Sequence, residues 1–218
     1  MKSVVFDMDG VLFDTERICR DSWVAVSEKY GINDMEQAFP LCIGRNGTDV
    51  EEIMKDRYGK DFPYKTFRKE AGDVFWEMIE KKGRPRKKGV GEILNFLRDD
   101  GWKVGLASST NRDTVIRHLE QAGILSYFSA IIGGDEIIHS KPEPDIYLLA
   151  CEKLGVKPEE TYAIEDSYYG IISAYRAGMR PIMVPDLLPP TEEMRQISEI
   201  ILEDLIQVRD YLKEKGLQ

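Results

Sequence analysis

Short apolar runs separated by helix-length segments constrain this chain more than any other feature. Residues 4–6, 103–107, 130–132, 161–164 and 181–184 are rich in the aliphatic and branched side chains that suit buried strands. Between the later runs lie amphipathic stretches at about 90–100, 112–122 and 146–154, and another running to Ala177, each closed by a glycine. Apolar strands joined by helices of this length mean a parallel sheet covered on both faces. The fold class expected is α/β, with a doubly wound, Rossmann-like core. A helix from about Thr191, a short strand at 200–202 and a last helix to about Lys215 complete the pattern.

The first strand is separated from the rest. After Asp14 the sequence turns helical: residues 15–30 carry Ile18, Trp23, Val24 and Val26 among charges and stop at Gly31. A turn-like stretch is expected through Pro40 and Gly44, then helices at 49–58 and 64–82, with Phe67, Val74, Phe75 and Met78 on the buried face. No strand is expected between Asp14 and Pro85. A sheet that starts and then pauses for some seventy residues implies an inserted helical subdomain. The expected domains are therefore a core of residues 1–14 and 86–218 and a helical insert of residues 15–85. The basic, glycine- and proline-rich stretch 81–89 reads as a linker. Attraction of a phosphorylated substrate by its positive field is the alternative reading.

Bulk properties exclude several classes. With 218 residues the chain can hold a core and a small second domain. A formal charge of −9 argues against a nucleic-acid backbone binder, which needs lysine and arginine over a whole face. Cys19, Cys42 and Cys151 are odd in number and far apart, so reduced core thiols and a cytoplasmic location are expected. Two histidines distant in sequence do not suggest a zinc site. No signal peptide and no membrane span are expected, and nothing in the sequence demands more than a monomer.

Polar groups collect where the strands end. The first strand delivers Asp7 and Asp9 before Gly10; the second delivers Ser108, Ser109 and Asn111; a later loop brings Lys141; the fourth delivers Glu165 and Asp166. In an open α/β sheet, ligands bind outside these carboxyl ends. Each group taken alone also has an ordinary explanation. Acid, turn and glycine after a strand is common loop chemistry, and Ser-Ser-Thr-Asn or Glu-Asp-Ser before a helix is a good N-cap. Lysines are usually surface residues. Independent capping has no reason to gather two acidic pairs, a hydroxyl and a lysine on one rim, so the convergence points to a site.

The residue types suggest the chemistry. Asp7 and Asp166, with a backbone carbonyl nearby, are hard oxygen ligands suited to Mg²⁺, which also relieves repulsion between clustered acids. Flanked by a cation and Lys141, Asp7 stays ionised and can attack phosphorus. Ser108 and Lys141 suit the phosphoryl oxygens, and Asp9 suits proton transfer to and from the leaving oxygen and water.

Asp7-Met8-Asp9-Gly10-Val11 with Thr15, Ser108, Lys141-Pro142 and Glu165-Asp166-Ser167 resembles the four ordered motifs of the haloacid dehalogenase (HAD) superfamily. The resemblance covers nearly the whole chain, and the insert resembles the helical cap of the β-phosphoglucomutase-like and phosphoglycolate phosphatase-like branch. It implies Asp7 as the phosphorylated nucleophile and Asp9 as acid/base. It also implies Mg²⁺ on Asp7, the backbone of Asp9 and Asp166, with Glu165 in support. Phosphoryl binding falls to Ser108, Ser109, Asn111 and Lys141. Arg45, Asn46 and Trp76 are the cap residues expected to choose the substrate.

Within the superfamily, dehalogenases lack an acid two residues past the nucleophile, so Asp9 favours phosphoryl chemistry. Similar mutases carry a histidine where Cys19 aligns here, an arginine where Gly47 aligns and a lysine near Ala71, and their absence favours a phosphatase; Arg45, by a shifted turn, is the candidate substitute for the arginine. The expectation is a Mg²⁺-dependent phosphatase acting on a small phosphorylated metabolite, a sugar phosphate among the options. The rivals are a phosphomutase for a hexose 1-phosphate, a phospho-accepting signalling domain without turnover, and a non-catalytic binding protein.

Overall fold

The computed structural model describes residues 2–43 and 47–216. In chain order its elements are β1 (Ser3–Phe6), α1 (Thr15–Ser27), α2 (Met35–Ala38), α3 (Gly47–Tyr58), α4 (Tyr64–Lys82), α5 (Val90–Asp99), β2 (Lys103–Ala107) and α6 (Arg112–Gln121). They continue with β3 (Ala130–Ile132), α7 (Asp145–Leu154), β4 (Thr161–Glu165), α8 (Tyr168–Arg176), β5 (Arg180–Met183), α9 (Glu192–Ile197), β6 (Ile200–Ile201) and α10 (Leu205–Gly216). No helix among the described residues is long and apolar enough to cross a membrane.

Residues 1–13 and 86–218 form one compact unit, residues 14–85 another. The first holds a six-stranded parallel sheet of order β3-β2-β1-β4-β5-β6. β1 lies inside it, with Val4 opposite Val104 on one side and Tyr162 on the other. The chain moves outward from β1 through β2 to β3, then crosses back to β4 on the opposite side. That reversal opens a crevice at the carboxyl ends of β1, β2 and β4, the place where such sheets take ligands. The expected α/β class and doubly wound core are borne out.

Side-chain alternation explains both covered faces. Val4, Phe6, Val104, Leu106, Tyr162 and Ile164 face a core completed by Ile93, Leu94 and Leu97 of α5 and by Leu205, Val208 and Leu212 of α10. Each of these fully buried leucines contributes roughly 1.5–3 kcal/mol. The intervening residues, Val5, Ala107 and Ala163, pack against Ile146, Tyr147, Ala150 and Leu154 of α7. The residues of this second face are small, and α7 sits close. A Cβ on Gly105 would lie 2.9 Å from the Leu154 side chain. Close packing seats α7 under β2 and β3, and from its first turn the Tyr147 hydroxyl reaches Glu165 at the end of β4.

The helical unit has its own aromatic core. Trp23 meets Phe39 and Phe67 edge-on at 5.4 Å each, and Tyr30 and Phe62 extend the cluster. Two sequence expectations need correction here. The stretch around Pro40 is not a plain turn, because α2 and a 3₁₀ turn at Phe39–Cys42 occupy it; Phe39 and Cys42 are buried and hold the segment down. On α4 the buried stripe is Tyr64, Phe67, Ala71 and Ile79, whereas Val74, Phe75 and Met78 are half-buried on the neighbouring face.

The basic stretch is anchored rather than loose. Arg86 forms a β-bridge with Phe13, Lys87 pairs with Asp186 at 2.8 Å and Lys88 with Asp204 at 2.6 Å.

Candidate active site

Asp7 follows β1 without a break, its N–H donating to the Ile164 carbonyl at 2.9 Å and so extending the ladder to β4 by one residue. The chain then turns tightly: Leu12 N–H bonds the Met8 carbonyl and Gly10 N–H the Phe13 carbonyl, both at 2.9 Å. Gly10 has φ +81°, and a Cβ there would lie 2.2 Å from Asp166 Oδ2. Glycine is required twice over, for the left-handed backbone and for the carboxylate of β4's end to approach.

Lys141 is buried in the middle of the cluster. Its Nζ donates to Asp7 Oδ1 and Glu165 Oε1, both at 2.6 Å, and to the Ala107 carbonyl at 3.3 Å. Glu165 is fully buried and densely bonded. Oε1 also accepts from the Tyr147 hydroxyl at 2.7 Å, and Oε2 accepts from Ser167 Oγ and Asp166 N–H at 3.2 Å. Ser167 further caps α8, its Oγ accepting from Gly170 N–H at 3.1 Å.

Asp7, Glu165 and Asp166 each offer a carboxylate oxygen within 4.8 Å of the others. One ammonium cannot balance three carboxylates. Burial pushes the Asp7 carboxyl up to about 7; Lys141 opposes the rise, and the charges of Glu165 and Asp9 add to it. Burial pulls Lys141 down, but the charges of Asp7 and Glu165 outweigh it and hold the ammonium above its ordinary range. A hard divalent cation on this oxygen set would restore the balance and return Asp7 to its ionised form. The donor set therefore fits Mg²⁺.

β2 supplies the opposite wall. Ser108 is buried at its end, with Oγ accepting from Thr110 N–H at 3.1 Å. Thr110 Oγ1 in turn donates to Asp9 Oδ2 at 3.2 Å, tying the second acid of the turn to β2. Asn111 caps α6 by accepting from Asp113 N–H at 3.1 Å, and Ser109 is exposed. Asp7, Lys141, Glu165 and Asp166 are thus in one cluster, and Thr110 separately links Asp9 to Ser108. Asn111 and Ser109 flank it without a bond to these groups among those described. Trp76 belongs to the helical unit, with the Arg84 guanidinium 5.8 Å from its ring centre. Arg45 and Asn46 lie outside the described residues.

Sequence reasoning missed Tyr147, Thr110 and Gly170. Tyr147 reads as one more apolar position of α7, and its acceptor lies 18 residues later on another element. Thr110 has the only legible signal, a hydroxyl within the polar end of β2.

Residues 4–184 match the family model of the haloacid dehalogenase-like hydrolases. The chain belongs to this family. It is 33% identical over 186 residues to the phosphorylated carbohydrates phosphatase of Thermotoga maritima, covering 84% of each chain. It is also 30% identical over 224 residues to the β-phosphoglucomutase of Bacillus subtilis, covering 93% of each. A HAD family hydrolase of Deinococcus radiodurans, solved with bound phosphate and sodium, superposes with a TM-score of 0.79 at 25% identity, covering 100% of this chain and 97% of that one. The expected membership is borne out, and the hydrolase family together with the phosphatase relative supports the expected enzyme class, a phosphatase.

Proposed function

We propose that this protein hydrolyses a small phosphate monoester, a sugar phosphate being the first class to test, with Mg²⁺ and through a phosphorylated aspartate. The observation that carries the reading is the Asp7 carboxylate at the end of β1, 2.6 Å from a buried ammonium and grouped with two further carboxylates. Asp7, Asp166 and the backbone of Asp9 would hold the ion, with Glu165 in support. When bound, Mg²⁺ would neutralise charge on the phosphoryl oxygens and keep Asp7 ionised.

The remaining chemistry falls to the chain. An Asp7 oxygen attacks phosphorus as the bond to the leaving oxygen breaks, and Asp9 gives that oxygen a proton. Water then attacks the acyl phosphate at phosphorus, Asp9 takes its proton, and Asp7 and inorganic phosphate separate. Lys141 and the Ser108 hydroxyl hold the phosphoryl oxygens, with Ser109 and Asn111 at the rim. Thr110 keeps the Asp9 carboxylate turned towards β2 until substrate arrives.

Two relatives of similar identity bear different activities in their names, a phosphatase and a mutase. Within the helical unit Ala71 is fully buried, so that position offers a substrate nothing but a methyl group inside the core. Hydrolysis is the reading this favours. Arg45, Asn46 and Trp76 remain the proposed substrate-choosing residues.

The decisive variant is Asp7→Asn. It should remain folded and lose phosphate release to background across a panel of phosphorylated metabolites. Normal Mg²⁺-dependent release from that variant would overturn the mechanism. Measuring glucose 6-phosphate formation from β-glucose 1-phosphate alongside phosphate release separates mutase from phosphatase.

A further inference from the structure

Tyr147 is a fully buried tyrosine whose two ends touch two members of the cluster. Its hydroxyl donates to Glu165 Oε1 at 2.7 Å, and its ring centre lies 5.1 Å from Lys141 Nζ. Glu165 Oε1 is also the oxygen that accepts from Lys141 at 2.6 Å. Tyr147, Glu165 and Lys141 therefore close a triangle in which one side chain braces both the ammonium and its counter-charge.

We propose that Tyr147 is a positioning residue that sets how strongly Lys141 grips the transferred phosphoryl group; the inference rests on the reading that Lys141 makes that contact. The three donors of the ammonium are all engaged, by Asp7, Glu165 and the Ala107 carbonyl. To bind a phosphoryl oxygen, Lys141 must loosen one of these bonds. Glu165 is fully buried, so an oxygen of its carboxylate deprived of a donor has no water to turn to. The Tyr147 hydroxyl keeps Oε1 bonded while the ammonium shifts towards substrate. Without it, Oε1 depends on Lys141, and the ammonium is held back on Glu165. The Oε2 side is secured separately by Ser167 and Asp166 N–H, so the carboxylate cannot rotate to share the loss.

Tyr147→Phe removes the hydroxyl and keeps the ring. Supporting partners of this kind typically change affinity or activity by about 10–100-fold when lost. The expected result is inorganic phosphate binding, titrated calorimetrically with Mg²⁺ present, weakened by about tenfold, with the KM for a phosphate monoester rising in parallel. The discriminating measurement is a double-mutant cycle with Lys141→Ala, and with Lys141→Arg as a second background in case the alanine variant does not fold. If Tyr147 acts through Lys141, Tyr147→Phe changes phosphate affinity by less than about twofold in either background. Independent, additive losses would overturn the proposal, as would a Tyr147→Phe protein with a lower melting temperature and unchanged phosphate affinity. Should Lys141→Ala itself bind phosphate like the wild type, the phosphoryl-holding role of Lys141 fails and the inference fails with it. If only Tyr147→Phe is silent, the inference fails alone.

Discussion

A Cβ on Gly170 would lie 1.9 Å from the Glu165 carboxyl carbon, so the first turn of α8 and the end of β4 are in direct contact across a missing side chain. Glu165 cannot swing aside cheaply, because Lys141, Tyr147 and Ser167 all bond it. In a helix, alanine is favoured over glycine by up to about 1 kcal/mol, so an unobstructed Gly170→Ala would stabilise the protein. The expected outcome is the reverse. Gly170→Ala lowers the melting temperature and reduces phosphate release by at least about tenfold through displaced Glu165 and Lys141. A stabilised, fully active variant would show that the carboxylate has somewhere else to go.

Lys141 is the one ammonium bonded to Asp7 and Glu165 among the described residues. Removing one partner of a buried charge cluster leaves the others uncompensated, a loss of about 3–5 kcal/mol. Lys141→Met should therefore unfold at clearly lower urea concentration than wild type, and Mg²⁺ should restore part of the difference by supplying the missing charge. Equal midpoints for the two proteins would mean that water or protons already screen the carboxylates.

How much of this was readable beforehand depends on distance along the chain. β1 to β5 were legible because strands buried on both faces need apolar side chains at nearly every position, and glycines mark the ends of the helices between them. Asp7, Lys141, Glu165 and Asp166 were legible because each sits at a strand end or in a loop with no packing need for a charge. Tyr147 was not, since nothing local separates a core tyrosine from one that donates to a carboxylate. Val74, Phe75 and Met78 misled for a related reason. The stripe on α4 is fixed by where Trp23 and Phe39 pack, which leaves Ala71 and Ile79 buried and the larger side chains beside them half-exposed.

The acidic trio makes a prediction about the metal alone. Mg²⁺ that binds only the folded protein, at about 100 times its Kd, adds roughly 2.7 kcal/mol of stability. A rise in melting temperature with Mg²⁺ and without any phosphate is expected for the wild type. Asp166→Asn, which keeps the shape and removes the charge, should abolish most of that increment. If the variant keeps the full increment, the ion binds elsewhere.

Asp204 offers a test of how the core is held together at α10. Immediately before α10, its Oδ1 accepts from Ile206 N–H at 2.9 Å and Gln207 N–H at 3.0 Å, while Oδ2 accepts from Lys88 at 2.6 Å. The Lys88 hydrogen bond, with those backbone donors, holds its carboxyl below the usual range against the opposing effect of burial. A folded-state pKa below the unfolded one means the charged form is the stabilising one. Its contribution is fully present above the unfolded value of about 4 and is lost as pH falls through the lower folded value. Asp204→Ala should then cost about 1 kcal/mol at neutral pH, the usual loss for such a cap. The gap between the two proteins should narrow below about pH 4 as wild-type Asp204 protonates. The loss should register in global unfolding, because Leu205, Val208 and Leu212 of the same helix complete the core against α5. Lys88 is largely exposed, so added salt weakens its share and leaves the two backbone bonds in place. A difference that stays constant from pH 7 to pH 3 would show that the carboxylate's charge plays no part in holding α10.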